Sequence, residues 1–441
     1  MTTFLARVSG RGPWGKEAGR PYNVTGARPI SWWGFTGVAV TAIGGPLALA
    51  ALYAPSIAQN APSSAGLAMV AAAVVFGVPI WIWLSYAREV EAPGGLYGFV
   101  EAAAGRPVAL AQAGLWTISY LLYLVYTTAQ IVYDTLPAVL PGERRYQTLL
   151  EIAIPVVIAA VMIAGRRVTL IVTGMLAVGQ LALAGALGGL TLANIDTPVS
   201  TFGASAPAGS LAIASGQTAL LYICSSLPFF LSADLGARRA GGTAGTPASG
   251  LAGRAVATES KKITGANGSF RIIRTGLLTA YVSTVAVIIV AVAPLAALPG
   301  FTRTPIPGMT VASAFGGHGF GVTVGIGVAA SVAGVIVVEY LALSRLATAV
   351  TAWPLRRVII GIGAIMVGFA PIMLIDPDKI YDSLITPSLV ALWLSQLVVF
   401  AVYPRFAVRQ NKRAVPAWTL AAAASAFAVY GLWTTIQVTS T

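Results

Sequence analysis

Glu339 is the residue whose type and setting most demand a chemical explanation. It stands in the apolar run VAGVIVVEYLALSR, about two helical turns before Arg345. Carboxylates inside membrane helices are costly and mark ion or proton pathways. The chemistry open to Glu339 is proton coupling, with a proton taken up when it faces outside and released inside. The alternative is a structural carboxylate, paired with a buried hydroxyl or an arginine near the inner end. Ser331, about two turns earlier, offers a hydroxyl that can join freed backbone carbonyls around sodium, so the coupling ion stays open between the two.

Two stretches put backbone polarity where binding can use it. The first, GFTGVAVTAIGGPLALAALYAP, carries Gly44, Gly45 and Pro46 near its middle. Glycine relaxes the backbone, and proline withholds an N–H and clashes with the preceding turn. The second, ALLYICSSLPFFLSADLGARR, carries Cys224, Ser225, Ser226 and Pro228. In hydrocarbon a break of this kind persists only where a cavity, ligand or neighbour satisfies the freed groups. Each stretch taken singly also fits a proline kink in a continuous helix. As a pair, they nominate Thr41, Ala42, Ile43, Gly44, Gly45 and Pro46 with Ile223, Cys224, Ser225, Ser226 and Leu227 as binding residues acting mainly through backbone. The two serines also have the bland option of bonding back to their own helix.

Tyr120, Tyr123 and Tyr126 recur every third residue, a stripe that either lines a pocket or packs with its hydroxyls bonded to neighbours. Glu101 and Asp234 fall near helix ends rich in arginine and suit ion pairs at an inner gate. Gln180 is a polar residue in mid-span. One cysteine and one histidine exclude internal disulfides, thiolate metal cages and imidazole-rich metal sites. The spans lack the convergent groups an intramembrane enzyme needs, so no catalytic residue, metal or cofactor is expected. The chain has no Walker-type phosphate loop to make ATP its driver.

The elements that position these residues follow from composition. Of 441 residues, 57% are hydrophobic and 9% charged, against about 25% charged in a soluble domain. Lipid is therefore the expected solvent and nucleic acid is not an expected partner, despite a net charge of +13. Runs of about 20 apolar residues place spans 1 to 5 near 31–55, 65–87, 108–136, 147–165 and 168–193. Spans 6 to 11 follow near 212–233, 273–298, 320–350, 356–375, 381–403 and 416–437. With the N-terminus inside, 23 of the 27 lysines and arginines fall on the cytoplasmic side, as the positive-inside rule requires. The expected location is the plasma (cytoplasmic) membrane, with the C-terminus outside.

The expected organisation is a cytoplasmic tail over 1–29, a five-helix repeat over 30–195, a second over 210–405, and an additional helix over 414–441. Residues 236–270, rich in Gly, Ala, Ser and Thr, read as a mobile cytoplasmic loop. Five is odd, so the two repeats must lie with opposite topology, and spans 1 and 6 occupy matching positions.

The chain resembles the amino acid–polyamine–organocation transporter superfamily. PGGLYGFVEAAAG (Pro93 to Gly105) is similar to the family's Gly-Gly-x-Tyr-x-Tyr stretch before the third helix. FFLSADLGARR resembles its acidic run and basic pair at the inner end of the sixth, with Asp234 as the acid and Arg238 and Arg239 as the pair. Ser344-Arg345 matches the eighth-helix Ser-Arg, and residues 44–46 stand at the first-helix glycine motif, as Gly-Gly-Pro. The resemblance implies an all-α membrane protein with the leucine-transporter arrangement of five-plus-five inverted repeats and discontinuous helices 1 and 6. It implies a substrate between spans 1, 3, 6 and 8, with Tyr120 and Tyr123 at its side. The resulting expectation is a proton-coupled permease for an amino acid or similar small zwitterion. A transporter of a cation, polyamine or other organic solute, or a non-transporting sensor on the same fold, is the alternative.

Overall fold

In a bilayer every backbone polar group must be satisfied within the protein, which leaves helices as the way for apolar runs of this length to cross. The computed structural model describes residues 30–440 apart from 91, 93, 141, 195–199, 237–250 and 293–303, and for 143–144, 200, 236, 251–267, 292, 378, 381–382 and 438–440 the backbone alone. Every regular element among the described residues is helical. Among the described residues, ten helices are long and apolar enough to cross a membrane: Trp32–Ala58, Pro62–Glu89, Arg106–Val139, Arg166–Asn194, Ala208–Leu235, Gly268–Ala291, His318–Thr351, Leu355–Met373, Ser383–Arg409 and Ala414–Gln437. A shorter apolar helix, Gln147–Ile163, stands where span 4 is expected. The chain is an all-α polytopic membrane protein, and the eleven elements keep the span numbers given above. The face at which span 1 begins is called the near face, and the opposite one the far face.

Contacts between the halves follow a two-fold pattern. Span 2 packs on span 7, span 3 on span 8, span 4 on span 9, and span 1 on span 6. Span 1 lies along span 7 as span 6 lies along span 2, and span 3 meets span 10 as span 8 meets span 5. Each half also has a short helix before its third span, Leu96–Ala104 and Pro307–Gly316. The first ends at Gly105 with φ 88° and ψ 170°, the second at Gly317 with φ 85° and ψ 163°. These dihedrals belong almost exclusively to glycine. Spans 3 and 8, which follow the two glycines, are both 34 residues long.

Span 11 packs mainly on span 10 and touches spans 2 and 6. The interior belongs to spans 1, 6 and 8, whose most apolar windows are 89%, 83% and 67% buried, against 28% for span 5. Interior spans are where a solute site can be enclosed.

One expectation is revised. The stretch read as a loop over 236–270 is helical from Leu251, because span 7 continues a helix that runs Leu251–Val292. The segment after Pro247 has no further proline, and its alanines and lysines favour helix. Span 6 is discontinuous as an α-helix, as expected, with its middle tightened rather than open. Its helix Ala208–Leu220 passes through a turn into a 3₁₀-helix over Ile223–Leu231 and closes with Ser232–Gly236. The N-terminal tail 1–29, Pro93, Arg238 and Arg239 lie outside the described residues.

Candidate functional site

Span 1 stops being helical at Ala42 because Ile43 leaves the helical region and Gly44 and Gly45 take φ of +78° and +69°. The helix restarts at Pro46, whose fixed φ and missing N–H suit a first turn. Gly45 has no room for a side chain: a Cβ there would lie 2.3 Å from Ser331 Oγ. The restarted helix widens to a π-helix over Leu49–Tyr53, and span 3 has its own π segment over Gln130–Thr135. The two meet where the Tyr53 hydroxyl donates to Gln130 Oε1 at 2.5 Å. π segments add a residue to the turn and push side chains off the regular face, a common device at functional sites.

These irregularities border a cavity of about 410 Å³, within the range of small-molecule pockets. Gly44, Leu49, Tyr53, Ser56, Ile57 and Asn60 of span 1 line it, opposite Ser119, Tyr120, Tyr123, Tyr126 and Thr127 of span 3. Span 6 contributes Gln217, Leu220, Leu221, Ile223 and Cys224; span 8 contributes Val332 and Val335; span 10 contributes Ile385, Leu389 and Leu392. No charged side chain is among them. The polar groups are hydroxyls, a thiol and two amides, set in an aromatic and aliphatic wall.

The cavity runs from the break toward the far face, where Ser56 and Asn60 are exposed. Asn60 Nδ2 donates to Gln217 Oε1 at 2.7 Å and so links spans 1 and 6 at its mouth. At its other end the Tyr120 hydroxyl contacts Cys224 Sγ at 3.8 Å, the Trp116 ring stacks on Tyr120 at 4.0 Å, and Phe230 lies 4.7 Å beyond Trp116. Nearer the near face, the Arg345 guanidinium grips Asp234 with both terminal nitrogens, at 2.8 and 3.3 Å. Arg166 of span 5 approaches the same carboxylate at 3.7 Å. The Ser232 hydroxyl donates to the Ala92 carbonyl at 2.9 Å. The near side is closed by rings and then by ions.

Of the nominated residues, Gly44, Tyr120, Tyr123, Ile223 and Cys224 line the cavity. Thr41, Ala42, Ile43, Gly45, Pro46, Ser225, Ser226 and Leu227 are buried beside it without forming its wall. Thr41 spends its hydroxyl on the Thr173 carbonyl at 3.1 Å, and Ser226 bonds back to Ile223 at 3.3 Å. The Ser225 hydroxyl is buried with no partner.

Ser331 donates to Gln180 Oε1 at 3.0 Å and accepts from the Ala48 N–H at 3.2 Å. Glu101 receives the Tyr97 hydroxyl at 3.2 Å and makes no ion pair among the described residues, so of the two expected gate carboxylates Asp234 alone carries one. Glu339 is fully buried and neither carboxylate oxygen has a hydrogen-bond partner. The paired structural role open to it in the sequence is absent here.

Sequence reasoning missed the far half of span 1, the outer turns of span 6, and span 10 altogether. Asn60 and Gln217 were the available signal, since a polar residue at the same end of each of two paired spans is a place for a cross-link. Compared with known proteins, the chain matches no family model and no curated protein.

Proposed function

We propose that the chain is a secondary transporter of the amino acid–polyamine–organocation kind, carrying a neutral amino acid or similar small zwitterion by alternating access. The observation that carries the reading is the uncharged cavity at the glycine break of span 1, which reaches the far face while rings and an Arg–Asp–Arg cluster close the near face. A net-neutral solute needs no fixed counter-charge, whereas a polyamine or other organic cation would leave its charge unpaired against this wall. Gly44 presents bare backbone to one end of the solute, and the tyrosine hydroxyls of spans 1 and 3 supply the other polar contacts.

The positive-inside bias makes the near face cytoplasmic, so the conformation is outward-open. Glu339 is the coupling residue in this reading. An ionised carboxylate buried without a donor costs several kcal/mol, so a group placed this way is better suited to exchanging a proton than to holding a fixed charge. Ser331 already bonds Gln180 and Ala48, which leaves its oxygen one lone pair for a sodium ion.

The test is uptake into liposomes containing the purified protein, with a panel of neutral, acidic and basic amino acids and a polyamine. Neutral amino acids should accumulate under an inward proton gradient, and Glu339→Gln should remove the gradient dependence while leaving the melting profile intact. Accumulation of the charged solutes alone would overturn the substrate class, and an unchanged pH response in Glu339→Gln would remove the coupling role.

A further inference from the structure

A second cavity, of about 350 Å³, opens at the near face between spans 2, 7, 10 and 11. Its rim is cationic: Arg88 ends span 2, Arg274 begins span 7, and Lys412 and Arg413 form the connection from span 10 to span 11. Four like charges converging from three separate stretches repel one another. The described residues offer little to offset them, since one carboxylate, Glu89, lies 3.7 Å from Arg88 and none lies within 4 Å of Arg274, Lys412 or Arg413. Lys412 is partly buried with its ammonium 5.9 Å from the Phe406 ring, and burial holds its pKa below the ordinary lysine value. The site is built to receive negative charge.

The floor is of a different kind. Trp81, Leu84, Ser85 and Arg88 fall on one stripe of span 2, with Trp81 seven residues, or about 10 Å, deeper than Arg88. Trp81 is 61% exposed where lipid would lie, and Phe270, Tyr403 and Leu420 complete an apolar wall. A soluble phosphate has no use for such a floor, whereas a phosphate that carries an acyl chain fills both levels. Basic pockets between membrane helices on the cytoplasmic side have this form when they hold anionic headgroups.

We infer that this cleft binds an anionic phospholipid, with its phosphate among Arg88, Arg274, Lys412 and Arg413 and an acyl chain over Trp81 and Leu84. The lipid bridges span 11 to spans 2 and 7. The site is separate from the solute cavity, so this inference stands or falls independently of the transport reading.

The test is lipid titration of the delipidated protein in detergent, read by native mass spectrometry and by thermal melting. The probes are phosphatidylglycerol, phosphatidylcholine, inorganic phosphate and glycerol 3-phosphate. Phosphatidylglycerol should stay bound and raise the melting temperature, while the other three should do neither. Arg274→Gln with Arg413→Gln should weaken phosphatidylglycerol at least tenfold. Arg274→Lys with Arg413→Lys should keep most of the binding, which separates charge from folding. Arg356→Gln with Arg357→Gln, exposed arginines elsewhere, should change nothing. Unaltered affinity in the glutamine pair, equal loss in the 356/357 control, or inorganic phosphate binding as tightly as the lipid would overturn the proposal.

Discussion

Spans 1 and 6 meet the same requirement by different backbone means. Span 1 leaves the helix through two left-handed glycines and re-enters at a proline, while span 6 gives up its α-helix at a turn after Leu220 and runs on for nine residues as a 3₁₀-helix. A left-handed turn tolerates almost no residue but glycine. A 3₁₀ run keeps every residue at ordinary negative φ and so accepts cysteine, serine and phenylalanine alike, although runs beyond three or four residues are uncommon and mark strain or a hinge. One side of the cavity is thus fixed by backbone sterics and the other by packing.

Four substitutions test that contrast. Gly45→Ala combines a φ of +69° with a Cβ 2.3 Å from Ser331 Oγ and should cost at least ~3 kcal/mol, read as a large loss of melting temperature or of folded yield. A wild-type melt would mean that span 1 is as adaptable as span 6.

Gly105→Ala and Gly317→Ala isolate the conformational part, since a Cβ at either meets nothing within 4 Å. Each should cost about 1–3 kcal/mol, and the two should agree closely in melting experiments, because their dihedrals do. Clearly unequal costs would show that the halves are not energetically equivalent at these corners.

Ser225→Ala, in the 3₁₀ stretch, removes a buried hydroxyl that has no partner. It should leave the melt unchanged or raise it slightly, by a few tenths of a kcal/mol up to ~1 kcal/mol. Destabilisation beyond ~1 kcal/mol would place span 6 on the intolerant side with span 1.

The span order and the break at Gly44 were legible because apolar length and a Gly-Gly-Pro triplet are local signals. The form of span 6 was not, since Ser-Ser-Leu-Pro is compatible with a kink, a gap or a tightened helix, and its packing against spans 1 and 8 selects among them. Ile385, Leu389 and Leu392 could not be told from lipid-facing residues, because an apolar side chain reads the same toward a cavity as toward acyl chains. The match between Gly105 and Gly317 escaped notice for a related reason. The flanking residues differ, and what the halves share at these corners is a dihedral rather than a sequence. Glu339 was conspicuous at once, yet its lack of any donor is a property of the folded neighbourhood alone.

The cluster at Asp234 has a mechanical consequence. One carboxylate holds two guanidiniums, Arg345 of span 8 and Arg166 of span 5, that would otherwise oppose each other across the same few ångströms. Withdrawing that carboxylate therefore removes the tie of span 6 to two helices at once. A single side chain of span 6 joins spans 5 and 8 at the near face.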